Sequence, residues 1–226
     1  MKLEQIESAI VSLDPSDRLK AIAALRQYEA DTAVPLLRHC ICDREFIVRS
    51  FAANGLGIAK NHEAFESLVE LVETESDDNV RAEAANALAN YGSMAIPILM
   101  SLFRSADHWL VRQSILAAIS EIGNSFDLLN FCQYALTDGD DFIQEAALGY
   151  LSLLAKTDLA DKALAIILPF CTSEKVPLRV QVARTLGLFD FPEATAARIE
   201  LRHDTNHYVV AATLEKSLLS VENDSN

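Results

Sequence analysis

The apolar positions of the chain recur with helical spacing, and the segment that carries them returns about every 32 residues. The clearest copy is DDNVRAEAANALANYG, from Asp77 to Gly92. It opens with two acids that can cap a helix, continues with Val-Arg and ends at a glycine that can stop a helix. Counted from its arginine, small or apolar side chains fall at positions −1, +3, +4 and +7, which share one helix face. The pattern predicts a helix with one buried face, repeated along the chain.

An arginine marks the register of most copies. The marks are Arg18, Arg49, Arg81, Arg112, Gln144, Arg179 and Ala211. They are separated by 31, 32, 31, 32, 35 and 32 residues, and each interval has room for two helices of about a dozen residues with their turns. The period therefore predicts about seven helical hairpins.

Each hairpin is predicted to pair a first helix with a second helix that carries the arginine. The predicted pairs are Lys2–Leu13 with Pro15–Tyr28, Thr32–Ile41 with Phe46–Ala59, Glu63–Glu73 with Asn79–Tyr91, Ser93–Arg104 with Trp109–Ile122, Phe126–Ala135 with Phe142–Ala155, Leu159–Cys171 with Pro177–Leu188, and Pro192–Leu201 with Tyr208–Leu219. Because no hairpin can bury its apolar face alone, each must stack on the next.

The pattern Asp…Val-Arg-x-x-Ala-Ala-x-Ala-Leu, with a proline inside three first helices at Pro35, Pro97 and Pro169, resembles HEAT repeats. The short period is similar to that of the phycobilisome-lyase HEAT-like subtype of cyanobacteria, which includes the E/F lyase subunits and NblB-like proteins. The resemblance covers residues 1–219. It implies an all-α fold, a right-handed α-solenoid (α-α superhelix) of about seven HEAT-like hairpins. We expect a single repeat domain over residues 1–221 and a disordered tail over 222–226.

Charge and composition narrow the function classes. Half of the 226 residues are hydrophobic, and the formal net charge is −14. Such an acidic chain disfavours nucleic-acid binding and docking on anionic membranes, since both need clustered Lys and Arg. The N-terminus predicts an amphipathic helix rather than a signal peptide, and no apolar run reaches the ~18 residues of a membrane span. We therefore expect a cytoplasmic protein without nucleic acid or membrane insertion, whose cysteines are reduced.

The arginine row has a structural and a functional interpretation. Acids precede the second helices, where they can cap the helix and pair with an arginine of a neighbouring repeat. The arginines assigned to this structural ladder are Arg49, Arg81, Arg112 and Arg179. The alternative is a row that binds phosphate or carboxylate groups. Gln144 replaces the arginine in the fifth hairpin and interrupts the row.

No catalytic or metal-binding constellation is found. The chain lacks a P-loop, a nucleophile elbow and a dinucleotide fingerprint, and Cys40 and Cys42 lack the spacing of a zinc site. We expect the cysteines to be buried or half-buried apolar residues, with no metal site and no cofactor. The less favoured alternatives are a bound bilin and an iron–sulfur cluster that is shared with a partner through Cys40, Cys42 or Cys132. The HEAT-like di-iron hydroxylases, another group that the repeats resemble, carry several His-Glu pairs at matched positions. This chain has only His62-Glu63, so we do not expect it to be such an enzyme.

Positions outside the core of the second helices predict a protein-binding surface on hairpins two to four. Aromatic anchors ringed by Asn and Glu are typical of interface hot spots. The residues assigned to this surface are Phe46, Phe51, Asn54, Glu83, Asn86, Asn90, Trp109 and Gln113. For Phe46 and Trp109 the alternative is packing inside the turns between repeats.

These observations favour a non-catalytic scaffold or adaptor that binds another protein. The resemblance implies a role in phycobilisome turnover, as for NblB-like proteins, or a partnership with an A-type iron–sulfur carrier. The alternative is an enzyme subunit, half of a heterodimeric bilin lyase that acts on phycobiliprotein cysteines. The repeat subtype and the aromatic residues that could stack on a bilin motivate that alternative.

Overall fold

The regular structure of this protein is helical. The computed structural model describes residues 1–137 and 139–215, where it holds fourteen α-helices, three short 3₁₀ segments and no strand. The predicted all-α solenoid is confirmed. The end of the helix predicted over Tyr208–Leu219 and the tail predicted over 222–226 lie outside the described residues. No helix within those two ranges combines the length and the apolar character needed to cross a bilayer.

The chain separates into two compact units, which are described one at a time. The first unit spans Met1–Gly123. Its helices are α1 (Leu3–Ile10), α2 (Pro15–Leu25), α3 (Ala30–Cys40), α4 (Phe46–Ala59), α5 (His62–Thr74), α6 (Asp78–Ala89), α7 (Ile96–Ser105) and α8 (Trp109–Ile122), with a 3₁₀ segment at Gly92–Ala95. Each odd-numbered helix packs on the even-numbered helix that follows it, and the even-numbered helices pack on one another in sequence. Four stacked hairpins result.

The second unit begins at Asn124. Its helices are α9 (Ser125–Leu136), α10 (Asp141–Tyr150), α11 (Ala160–Ile167), α12 (Val176–Leu186), α13 (Pro192–Leu201) and α14 (His207–Ala212), with 3₁₀ segments at Leu151–Leu154 and Leu168–Thr172. Here α12 packs between α10 and α14. The prediction of one domain over residues 1–221 stays a prediction.

Side-chain caps start several of these helices. Asp77 accepts hydrogen bonds from the backbone N–H groups of Asn79 and Val80, at 2.9 and 3.3 Å, and so begins α6. Asp14 caps α2 in the same way, and proline occupies the first position of that helix. Such caps satisfy N–H groups that have no partner inside the helix. The acids that precede the repeated segment therefore define where its helix begins.

The apolar face of the second helices forms the core of each unit. In α6, Val80, Ala84, Ala85 and Leu88 have no exposed surface. The matching positions of α4, α8, α10 and α12 are at most 2% exposed, with Leu151 of the fifth hairpin lying just beyond α10. These predicted core positions are confirmed. Small side chains there let neighbouring helices approach closely, which is how a stack of short hairpins becomes densely packed.

Two of the prolines alter the first helices more than the sequence pattern predicted. Pro35 lies inside α3 as expected, but Pro97 falls in the first turn of α7, and Pro169 falls in the 3₁₀ segment after α11. Of the helices predicted over Ser93–Arg104 and Leu159–Cys171, the first begins three residues later than predicted, at Ile96, and the second ends four residues earlier, at Ile167. Proline has no N–H to donate and crowds the preceding turn, so it favours a helix start or a break.

Within residues 1–137 and 139–215, Arg18, Arg49 and Arg179 each tie a second helix to the loop that precedes the next one. Nε and Nη2 of Arg49 donate to the two carboxylate oxygens of Glu75 at 2.6 and 3.1 Å. Arg179 holds Asp204 in the same manner, at 2.7 and 3.0 Å. Arg18, the first register mark, donates from Nη2 to Oδ1 of Asp43 at 2.9 Å, and its Nε lies 2.6 Å from Oδ2 of the same carboxylate as an ion pair. Paired hydrogen bonds of this kind are strong and orient both groups. We call each such link a rung.

The remaining members of the row make the following contacts within the described residues. Arg81 approaches only Asp78 of its own helix, with 3.6 Å between Nη1 and the carboxylate, in the part of the chain that the structure describes. Nη2 of Arg112 donates to the backbone oxygen of Asp107 at 3.1 Å. Gln144 donates to the backbone oxygen of Leu136 and accepts from Lys175 at 3.3 Å. A lysine of the following hairpin thus reaches the position where the row is interrupted.

The rungs should make stability fall in acid. The hydrogen bond from Arg179 lowers the pKa of Asp204 below its ordinary value of 3.8. Burial by itself would raise the pKa of Glu75, but hydrogen bonds from Arg49 and from the N–H of Asp77 outweigh it and hold that pKa below 4.5. A carboxyl group with a depressed folded-state pKa stabilises fully above its unfolded pKa and loses that contribution as the pH falls through the folded value. We expect the free energy of unfolding to decline below about pH 4.5.

Urea denaturation at a series of pH values measures this decline. The matched variant is Asp204→Asn, whose amide does not titrate. Its stability should be lower at neutral pH and should fall less steeply in acid than that of the wild type. Parallel curves for the two proteins would show that the rung carboxylates do not cause the acid sensitivity.

Candidate functional site

A groove with a volume of about 550 Å³ crosses the second helices of the first unit. It runs over α4, α6 and α8, on the side of these helices opposite their buried face. Five residues of the predicted surface line it, namely Phe46, Phe51, Asn54, Glu83 and Asn86. The structure thus gathers the α4 and α6 members of that surface into one depression.

Large apolar side chains lie exposed along the α4 wall of the groove. Phe46, Ile47 and Phe51 are 45%, 39% and 42% exposed. Because core positions of α4 such as Val48 and Ala52 lie on the opposite side of the helix, these three cannot also reach the core. Packing of Phe46 against the turn, the alternative for this residue, stays a prediction. The groove therefore offers an apolar wall to another molecule.

The polar floor of the groove is a chain of three side chains from three helices. Asn54 accepts a hydrogen bond from Nη2 of Arg26 at 2.8 Å and donates from Nδ2 to Oε1 of Glu83 at 2.8 Å. Asn54 thereby holds α2, α4 and α6 together instead of presenting a free amide. Oε2 of Glu83 accepts no hydrogen bond from the residues that the structure describes. A carboxylate oxygen is left available to a donor that enters the groove.

The remaining residues of the predicted surface lie outside the groove. Trp109 is the first residue of α8, stacks on His108 with 5.7 Å between ring centroids, and is 47% exposed. Packing of Trp109 against the turn before α8, the alternative for this residue, stays a prediction. Asn90 is exposed at the end of α6, and Gln113 is half-buried in α8. The structure does not bring these three into the same depression.

Sequence reasoning missed several residues that the groove contains. Ile47, Ala82 and Leu110 add apolar surface, and Arg26 anchors one end of the polar floor. Ile47 was overlooked because it lies between Phe46 and the core residue Val48. The spacing of Ile47 and Phe51, four residues apart on one helix, could have identified it.

The cysteines differ in burial. Burial raises the pKa of the Cys40 thiol and of the Cys132 thiol to about 12. A metal ligand is a thiolate, so both environments disfavour ligation. Cys171 is half-buried, whereas Cys42 is exposed, and for Cys42 the expectation of a buried or half-buried residue is wrong. Across residues 1–137 and 139–215, no group of three or more His, Cys, Asp or Glu side chains could hold a metal ion.

Comparison with known proteins agrees with this architecture. The structure of YibA from Escherichia coli shares 16% identity with a TM-score of 0.62, over 99% of this chain and 86% of that one. The complex of CpcE and CpcF of phycocyanin lyase from Nostoc sp. PCC7120 shares 21% identity with a TM-score of 0.53, over 97% and 88%. At such low identity these likenesses show a common fold. A sequence comparison with curated proteins gave no match.

The family itself follows from the sequence. The family model for HEAT repeats matches residues 3–89 and, in a second overlapping match, residues 66–152. Together the two matches cover well over half of the chain, and they include the helices that form the groove. This chain belongs to the HEAT-repeat family.

Proposed function

We propose that this HEAT-repeat chain is a non-catalytic adaptor that binds another protein in the groove over α4, α6 and α8. The observation that supports it is the exposure of Phe46, Ile47 and Phe51 side by side in a depression. Full burial of one such side chain is worth about 1.5–3 kcal/mol. Because 39–45% of each of the three side chains is still exposed, covering them would gain part of that amount from each, as expected for the few anchors that dominate an interface.

The charge of the chain indicates the chemistry of the partner. The net charge is −14, and Glu83 keeps one carboxylate oxygen free at the floor of the groove. The partner segment therefore carries an apolar side chain that packs between Phe46 and Phe51 and a Lys or Arg that reaches Glu83. Complementary charge would also speed the encounter of the two proteins at low salt. A basic amphipathic helix meets these requirements.

The repeat period supports two finer proposals for the partner. By its similarity to the phycobilisome-lyase subtype, the chain acts in phycobilisome turnover, with a phycobiliprotein as the partner, or else it assists an A-type iron–sulfur carrier. The alternative, one subunit of a heterodimeric bilin lyase, rests on the fold likeness to the CpcE and CpcF complex. Visible absorption separates these classes, because an adaptor leaves the spectrum of added bilin unchanged, with or without apo-phycobiliprotein.

Replacement of Phe51 by aspartate should abolish capture of the partner. A charge placed among Phe46 and Ile47 removes an apolar anchor and costs its desolvation on binding, so we expect affinity to fall at least about 30-fold. The measurement is affinity capture with the wild-type chain and with Phe51→Asp, followed by titration of each protein that only the wild type retains. Because Phe51 is 42% exposed, the melting temperature should change little.

The matched control is Phe126→Asp, a change at a 61% exposed phenylalanine of the second unit. This variant should retain the wild-type set of partners. If Phe51→Asp captures the same proteins with the same affinity as the wild type, the groove is not the binding surface. A bilin spectrum that shifts when the chain is added would favour the lyase class instead.

A further inference from the structure

Among the described residues, the guanidinium of Arg81 lacks the inter-repeat carboxylate that Arg49 and Arg179 hold. In the rungs of Arg49 and Arg179, the edge formed by Nε and Nη2 meets both oxygens of one carboxylate. The same edge of Arg81 meets none among the described residues, and its Nε is buried without a hydrogen-bond partner. A buried donor in this state is destabilising and is uncommon in native proteins.

The sequence shows why Arg81 has no such acid in the next repeat. In each complete rung the acid stands three residues before the next second helix, as Glu75 does before α6. The corresponding residue before α8 is Ala106. At the interrupted rung of the second unit both members have changed, because Gln144 replaces the arginine and Ser173 occupies the acid position. Only at Arg81 is the cation retained while its internal acid is absent.

A cavity adjoins this guanidinium. Its volume is about 220 Å³, and it lies among α5, α6 and α7 in the first unit. Val72 and Leu102 contribute apolar lining, and Ser101, Ser105 and Arg81 line it as well. A water molecule occupies about 30 Å³ of liquid, so the space admits a carboxylate with a short carbon stem. The cavity is distinct from the groove, which Arg81 does not line.

We propose that Arg81 is a binding site for a carboxylate group that comes from outside the chain. The ligand occupies the place that Glu75 takes beside Arg49, with its two oxygens on Nε and Nη2, and the two serines line the same cavity. A singly charged carboxylate fits better than a phosphate dianion, because Glu73 lines the cavity and Asp78 lies 3.6 Å from Nη1. Repulsion from these acids grows with the charge of the ligand.

The test is an NMR titration of the full chain that follows the Nε–H signals of its arginines. Acetate should shift the Arg81 signal saturably, with half-saturation on the order of 10 mM. The Arg49 signal should stay in place, since its carboxylate is already supplied. Inorganic phosphate at the same ionic strength should produce a smaller, unsaturated response.

A short capped peptide with one glutamate provides a second probe. Tighter binding of the peptide than of acetate would assign the ligand to a protein side chain rather than a small acid.

Two variants at one position complete the test. Ala106→Asp restores the internal acid and should remove the response of Arg81 to acetate, whereas Ala106→Asn, of similar size but neutral, should keep it. The titration of the wild type decides by itself if the aspartate variant does not fold. Absence of a saturable Arg81 shift, or tighter binding of phosphate than of acetate, would overturn the proposal. Neither result depends on whether a protein binds in the groove.

Discussion

Replacement of Arg49 by methionine should lower the free energy of unfolding by about 2–3 kcal/mol. The side chains of Arg49 and Glu75 are only 16% and 6% exposed, so the substitution leaves a carboxylate without its partner in a largely enclosed site. Nη1 of Arg49 also holds the backbone oxygen of Asp43 at 2.9 Å, and this bond is lost as well. The loss should appear as a lower urea midpoint and as a melting temperature reduced by about 4–12 °C.

The row itself supplies the control for this prediction. Arg81→Met removes an arginine from the same helical position one repeat later, where no carboxylate of another repeat within the described ranges is bound. It should cost less than about 1 kcal/mol, since methionine preserves most of the apolar stem. If the two variants lost equal stability, the cost would come from the stem, and the rung would contribute nothing.

Gly57→Ala should destabilise the first unit by about 1–3 kcal/mol. Helix propensity alone predicts the opposite, because alanine is favoured over glycine by about 1 kcal/mol in a helix interior. A Cβ at residue 57 would lie 2.9 Å from Cα of Ala87, so the added methyl group meets the backbone of α6. The two helices would have to separate, and the groove between them would widen. Thermal and urea denaturation measure the loss.

Gly55→Ala is the matched substitution on the same helix. A Cβ there would lie 2.7 Å from Cδ2 of Leu37, which is the end of a flexible side chain. Rotation of that leucine should relieve most of the contact, and we expect a net change within about 1 kcal/mol of zero. Equal destabilisation by both changes would mean that the backbone contact at Ala87 is not the decisive one.

The fold was largely predictable because the apolar positions of the repeated segment have helical spacing and so indicate which face of each second helix is buried. The positions of Val80, Ala84, Ala85 and Leu88 recur at one spacing in hairpins two to six, and the face that they form is buried in each of these five hairpins. The helix ends near Pro97 and Pro169 were less predictable. Proline can occupy a helix interior, as Pro35 does, or its first turn, and the choice depends on neighbours in space.

The candidate site was predictable only in part. The exposed positions of α4 followed from the helical period, which placed Phe46 and Phe51 away from the core. The bonding of Asn54 to Arg26 and Glu83 joins residues that are 28 and 29 positions apart, and no local pattern reveals it. Trp109, like Phe46, is an aromatic residue at the first position of a second helix, but it lies outside the groove. The sequence specifies which face is free, whereas the stacking of helices decides which free residues meet.

The sequence by itself determined the stack of helical hairpins, the buried face of each second helix and the HEAT-repeat family, because all three depend on one local period. Only the tertiary structure decided that Arg49 pairs with an acid of the next repeat while Arg81, among the described residues, approaches only Asp78 of its own helix. It also decided that Phe46, Ile47 and Phe51 share a groove with Glu83. Those outcomes depend on contacts between repeats. A contact between repeats joins a residue of one helix to a residue in the next repeat, and it forms only if the helices stack at the right distance. The sequence of a single repeat contains only one of the two partners.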